Sequence, residues 1–99
     1  MLKKTYPKTK KGVCQVTFTV PKQAGDQTAF LVGEFNDWDR HATPMKRAAA
    51  GNLSVTLNLA TGKDYRFRYL LNETRWENEA QADRHVPNGF GSEDSVVCT

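Results

Sequence analysis

A chain of 99 residues with 38% hydrophobic, 25% charged and 10% aromatic residues makes one small soluble domain, neither disordered nor fibrous. It has no apolar run of about 18 residues, so no membrane span is expected. Its size also leaves little room for a two-walled catalytic cleft.

The net charge is +3, with a pI near 9.0. This charge is uneven. Lys3, Lys4, Lys8, Lys10 and Lys11 fall within residues 1–11, a stretch without an acid, and the remaining 88 residues have a net charge of −2. The basic signal therefore belongs to the first segment, and residues 1–11 are expected to be a flexible, solvated tail before a domain at 12–99. The body is not the basic face that a nucleic-acid partner requires, and none is expected. Behind the first lysines there is no apolar h-region, so the expected compartment is the cytoplasm.

Taken in chain order, Val13–Val20 alternates and sets Cys14, Val16, Phe18 and Val20 on one face. The run 28–32 is continuously apolar, which suits a strand covered on both faces, and periodicity leaves its direction open. Ala48-Ala49-Ala50 has helix propensity, but Gly51 stops it, leaving a loop or a short turn. Residues 53–59 alternate with the odd positions inward. Residues 65–71 do the same, with Tyr65, Phe67, Tyr69 and Leu71 inward. Arg75-Trp76-Glu77 and Ser95–Cys98 are short strand candidates. Turn signals stand at Ala24-Gly25-Asp26, Asn36-Asp37, Ala60-Thr61-Gly62-Lys63 and Asn88-Gly89. Short strands at this spacing predict an all-β antiparallel sandwich.

Trp38 and Trp76 each follow a strand and stand among Asn, Asp, Arg and Glu. A flat indole beside polar groups suits a sugar, whose C–H face stacks while its hydroxyls are bonded at the edge. The alternative is that each indole plugs an edge of the sandwich. Arg66 and Arg68 share the outward face of their strand, and Arg66 is the better candidate for bonding hydroxyls. Glu34, Asp37 and Asp39 cluster near Trp38, but acids within one turn more often cap it than form a catalytic pair. Ser92, Ser95 and Cys98 have no neighbouring base, and the phosphate-binding glycine patterns are absent. No catalysis and no cofactor are expected. His41 and His85 lack ligand spacing with Cys14 and Cys98, so no metal site is expected either, and the two cysteines are expected to be reduced thiols.

The ordered set Gly33-Glu34-Phe35-Asn36-Asp37-Trp38, Pro44-Met45, Gly62–Tyr69, Trp76, Ala82-Asp83 and Gly91–Val97 resembles carbohydrate-binding module family 48. That family includes the N-terminal early-set domains of isoamylases and glycogen-branching enzymes, and the glycogen-binding domain of the AMP-activated protein kinase β subunit. The chain also resembles the family's small stand-alone bacterial forms, and the resemblance covers roughly residues 13–98. It implies an immunoglobulin-like early-set sandwich that binds α-1,4-glucan such as glycogen or starch. It also implies roles for five residues. Trp38 and Trp76 would stack on glucose units, Arg66 would bond hydroxyls, Phe90 would project into the curve of the glucan, and Asp94 would hold hydroxyls at the last strand. Arg66 stands where the family has Lys. Asp94 stands where it has Asn, keeping an acceptor but losing the amide donors. Some members bind no glucan and serve as docking units. A second expectation is therefore a regulatory or interaction subunit on a glycogen-metabolising enzyme.

Overall fold

The structure, a computed structural model, describes residues 2–21, 28–47, 51–89 and 91–99. The turn signal at Ala24-Gly25-Asp26, the alanine run at 48–50 and Phe90 lie outside the described residues. Among the described residues nine strands follow in order: β1 (Leu2–Thr5), β2 (Val13–Val20), β3 (Ala29–Gly33), β4 (Lys46–Arg47), β5 (Leu53–Ala60), β6 (Asp64–Leu71), β7 (Arg75–Glu77), β8 (Arg84–Pro87) and β9 (Glu93–Cys98). A 3-10 turn, Glu34–Asn36, follows β3. No helix among the described residues is long and apolar enough to cross a membrane.

The strands form two antiparallel sheets. One has the order β1-β2-β5-β4. The other has the order β3-β6-β9-β8, with β7 also paired to β6. Four strands facing the trio β3-β6-β9 in this order is the arrangement of the seven-stranded immunoglobulin sandwich, to which β7 and β8 are added. The chain is an all-β sandwich.

The alternation read from the sequence is the alternation that folds. Cys14, Val16, Phe18 and Val20 are buried, and so are Phe67, Tyr69 and Leu71. Leu53 and Leu59 are buried, and Val55, Leu57 and Tyr65 pack against the same core. Phe18 and Phe67 meet edge to face at 5.1 Å between ring centres. Each such side chain contributes roughly 1.5–3 kcal/mol by leaving water. The expectation for 28–32 also resolves. In β3, Ala29 and Leu31 join the core while Val32, on the opposite face, is buried as well. Phe30 faces the same way as Val32 and meets His41 edge to face at 5.0 Å.

Residues 1–11 differ from the expected flexible tail. Leu2–Thr5 is a strand, paired with β2 through Leu2↔Phe18 and Thr5↔Gln15. Leu2 packs against the core. The boundary of the folded unit therefore lies before residue 12. Charge density hid this strand, because only one residue of the four is apolar. Lys4 is also not solvated like its neighbours: its Nζ lies 2.6 Å from Asp83 Oδ2. Tyr6 follows by donating its hydroxyl to the Thr99 carbonyl at 3.1 Å. Cys14 is buried and Cys98 half-buried, and both are free thiols. They lie on β2 and β9, in different sheets.

Asp83 ties three segments together. It accepts from Lys4 and from the Cys98 backbone N–H at 2.7 Å. Partial burial works against its charged form, but these two donors outweigh burial and hold its carboxyl below the usual range. Partial burial likewise opposes the Lys4 charge, and Asp83 overcomes it, raising the ammonium above its ordinary value. The Asp83 contribution is therefore complete above the unfolded carboxylate pKa and is lost as pH falls through the lower folded value. The Lys4 contribution is complete below the unfolded lysine pKa and is lost as pH rises through the higher folded value. Asp83→Asn is expected to lower stability at pH 7 by about 0.5–1 kcal/mol, since both partners remain partly solvated. Urea unfolding of the two proteins should converge only once pH has fallen through the lowered folded value of Asp83, where the wild-type carboxyl is protonated too.

Candidate functional site

The outward face of the β3-β6-β9-β8 sheet carries the site. On it stand Phe30 and Val32 of β3, Arg66, Arg68 and Leu70 of β6, and Asp94 and Val96 of β9. Val32, Leu70 and Val96 are buried although they point away from the main core, so this face has an apolar floor of its own. Two loops rise over it, and each carries a tryptophan.

The first loop is built by close contact. A Cβ on Gly33 would lie 2.5 Å from the Arg66 carbonyl oxygen, 2.8 Å from Phe67 Cβ and 2.9 Å from Phe35 Cζ. Only glycine lets β3 pass β6 this closely. Each following residue has a separate task. Glu34 Oε1 accepts the Arg66 backbone N–H at 2.6 Å. Phe35 turns inward against Phe18 and Tyr65, at 5.8 and 6.1 Å. Asn36 Oδ1 accepts the Gly33 N–H, while its Nδ2 donates to the Leu31 carbonyl and to Thr43 Oγ1. Asp37 and Trp38 then take φ of 55° and 60°. The left-handed region costs a non-glycine residue roughly 1–2 kcal/mol. Trp38 is held there by its own N–H, which donates to the Gly33 carbonyl at 2.9 Å. The outcome is an indole 39% exposed.

The second loop is the β6–β7 hairpin. Asn72 and Glu73 have φ of 52° and 61°, and Thr74 N–H closes the turn on the Leu71 carbonyl. Two central residues with positive φ mark a type I′ turn, whose twist matches that of the paired strands. Trp76 therefore stands directly opposite Leu70, 36% exposed. The guanidinium carbons of Arg68 and Arg40 lie 5.5 and 5.8 Å from its ring centre. His41, beyond Trp38 on the first loop, meets Glu73 of the hairpin at 2.8 Å, so the two loops touch.

Between them runs an open groove of about 530 Å³, lined by both indoles and by Glu34, Arg66, Arg68, Asn88, Gly89 and Asp94. Four residues picked from the sequence, Trp38, Arg66, Trp76 and Asp94, thus meet in one place. The fifth, Phe90, is outside the described residues. Arg66 Nη1 is 3.8 Å from Asp94 Oδ2, close enough for attraction but too long for a hydrogen bond. Asp94 is nearly buried, and its Oδ1 accepts from Asn88 Nδ2 at 3.1 Å. Asn88 thus places an amide beside the carboxylate at 94. Its backbone N–H and side-chain oxygen also close the last loop on Ser92.

Sequence reasoning ranked Arg68 below Arg66, yet both line the groove. The outward alternation of β6 already placed them together. In the sequence Glu34 is one of three turn acids, and Asn88-Gly89 is a turn signal. Nothing in the spacing brought either to the tryptophans. Among the described residues, no group of three or more His, Cys, Asp or Glu side chains is arranged to hold a metal ion. Compared with known proteins, the chain matches no family model and no curated protein.

Two backbone predictions follow from the first loop. Gly33→Ala is expected to lower stability by about 1–3 kcal/mol, because backbone rather than a flexible side chain blocks the added methyl group. Trp38→Gly should be more stable than Trp38→Ala by about 1 kcal/mol in urea unfolding, since glycine accepts positive φ without strain.

Proposed function

We propose that this protein is a non-catalytic α-glucan-binding module of the carbohydrate-binding family 48 type, and that the groove is its sugar site. The observation that carries this reading is the convergence of two half-exposed indoles, Arg66 and Asp94 on one open groove. Indole faces suit the apolar faces of glucose rings. The guanidinium of Arg66 donates to hydroxyls, and the carboxylate of Asp94 accepts from them. Asn88 restores near Asp94 the amide donor that an aspartate lacks. The groove is open rather than enclosed, which suits a chain that enters and leaves at both ends. Such a site binds modestly, with Kd in the range of about micromolar to millimolar. The activity belongs in the cytoplasm on this reading, and the two free thiols suit a reducing compartment.

Titration with maltoheptaose, β-cyclodextrin and glycogen, followed by tryptophan fluorescence, is expected to give a saturable change. Trp38→Ala and Trp76→Ala should each weaken binding about tenfold or more. A wild-type protein that stays silent up to about 10 mM oligosaccharide, and whose gel mobility ignores embedded glycogen, would remove the glucan reading. Co-purification with a glycogen-metabolising enzyme that survives both substitutions would favour a docking subunit instead.

A further inference from the structure

Two adjacent residues of the Trp38 loop, Arg40 and His41, reach across to the loop that carries Trp76. After Trp38 the chain returns along the edge of β3 that faces away from β6. The Thr43 carbonyl accepts the Leu31 N–H at 2.9 Å, and Met45 N–H donates to the Ala29 carbonyl at 2.8 Å. This path sets His41 on Phe30, with 5.0 Å between ring centres. Asp39 Oδ1 fixes it there by accepting its backbone N–H at 2.9 Å. The imidazole Nε2 then meets Glu73 Oε1, in the turn of the β6–β7 hairpin, at 2.8 Å. The Arg40 guanidinium carbon lies 5.8 Å from the centre of the Trp76 ring, on the second strand of the same hairpin. One short stretch of chain thus holds the hairpin at two points, its turn and its indole. The hairpin is also tied to the start of β3, where Asn72 N–H donates to the Thr28 carbonyl at 2.9 Å and Asn72 Oδ1 accepts the Thr28 N–H at 3.3 Å.

His41 and Glu73 are both largely exposed, and an exposed pair of this kind adds little to the stability of a fold. Its position gives it another use. A ligand that stacks on both indoles reads their separation, and contacts that restrict the two loops beforehand reduce the ordering cost of binding. We infer that Arg40 and His41 are positioning residues that clasp the Trp38 loop to the hairpin, and that the clasp tightens when His41 is protonated, so that glucan is held more tightly in mild acid. This rests on the reading of the groove as a glucan site and adds a control on it. An ionised carboxylate only accepts, so Nε2 carries a proton in the neutral imidazole as well. A second proton, at Nδ1, turns that neutral donor into a cation, and charge-assisted hydrogen bonds are the shorter and stronger ones. Glu73 is the charged group that His41 meets on the hairpin, Asp39 and Arg40 flank it on its own loop, and the β3 residue packed against it, Phe30, carries no charge. Arg40 stays charged throughout, so its half of the clasp is independent of pH.

Calorimetry with maltoheptaose between about pH 5.5 and 8.5, the range across which histidine titrates, tests this. Wild type is expected to bind about two- to fivefold more tightly at the acid end. Glu73→Gln keeps an acceptor and removes the charge, so it should flatten the profile at the weaker level, and His41→Gln should do the same from the other side. Arg40→Gln should weaken binding by a similar factor at every pH and leave the slope in place. A second readout needs no sugar. The chain has two tryptophans, and NMR relaxation of their indole N–H groups should show both more restricted at the acid end, a difference lost in Glu73→Gln and in His41→Gln. A flat wild-type profile with maltoheptaose bound, or a slope that survives in Glu73→Gln, overturns the clasp and leaves the glucan reading standing. Indoles that stiffen in acid through Glu73, with no response to maltoheptaose, overturn the glucan reading and support the clasp on its own. Silence in both readouts overturns both.

Discussion

The close passage of β3 beneath the Arg66 carbonyl is the contact from which the rest of the site follows. Gly33 is extended and unstrained, so its need for glycine is a matter of space alone. Because the two strands approach so closely there, the chain must leave β3 abruptly. It does so through one 3-10 turn with its polar groups answered locally. Glu34 accepts the Arg66 N–H within β6, Phe35 returns to the core, and Asn36 bonds three different groups. With those residues committed, the turn can only end in the left-handed region, and that is where Trp38 stands. The exposure of this indole is thus built on buried contacts rather than on a loose loop.

The same sandwich treats its two outer faces differently. β1, β2, β4 and β5 contain no acidic residue, and their outward positions are mainly Lys, Thr, Ser, Gln and Asn, with Thr17 and Thr56 joined hydroxyl to hydroxyl at 2.9 Å. The outward face of the other sheet mixes buried aliphatics with arginines and a nearly buried aspartate. A solvated sheet face has no use for that mixture, since an apolar floor under polar walls is the composition of a binding surface. The left-handed residues of both loops cluster on this side, so local strain and candidate function coincide.

Much of the fold was legible because period-two alternation is a direct consequence of burying one strand face. It located β2, β5 and β6 and their inward residues. It failed at β1, β4 and β8. Leu2–Thr5 has a single apolar anchor, Lys46–Arg47 is two residues long, and the one β-branched aliphatic of Arg84–Pro87, Val86, pairs with Asp94 on the outward face. Such edge strands are held by pairing and by ties such as Lys4–Asp83, and neither leaves a hydrophobic period. In the site, the tryptophans and Arg66 stood out as residue types misplaced in their local surroundings. Glu34, Arg68 and Asn88 did not, because each is ordinary for a turn or an outward strand face.

The sequence by itself determined the all-β class, the inward faces of the three long strands and the identity of the two tryptophans as exceptions. These are local properties, set by side-chain alternation and by the neighbours of each residue. That the pI of about 9.0 comes from the first segment was also visible there, whereas the pairing of that segment as a strand was not. Only the tertiary structure decided that Trp38, Trp76, Arg66 and Asp94 share one groove, because sheet pairing joins β3, β6, β7 and β9 across more than sixty residues of chain. It likewise decided which charges are answered. Arg66 has a carboxylate within reach, and Arg68 has an indole in place of one, a difference set by which strands lie beside β6.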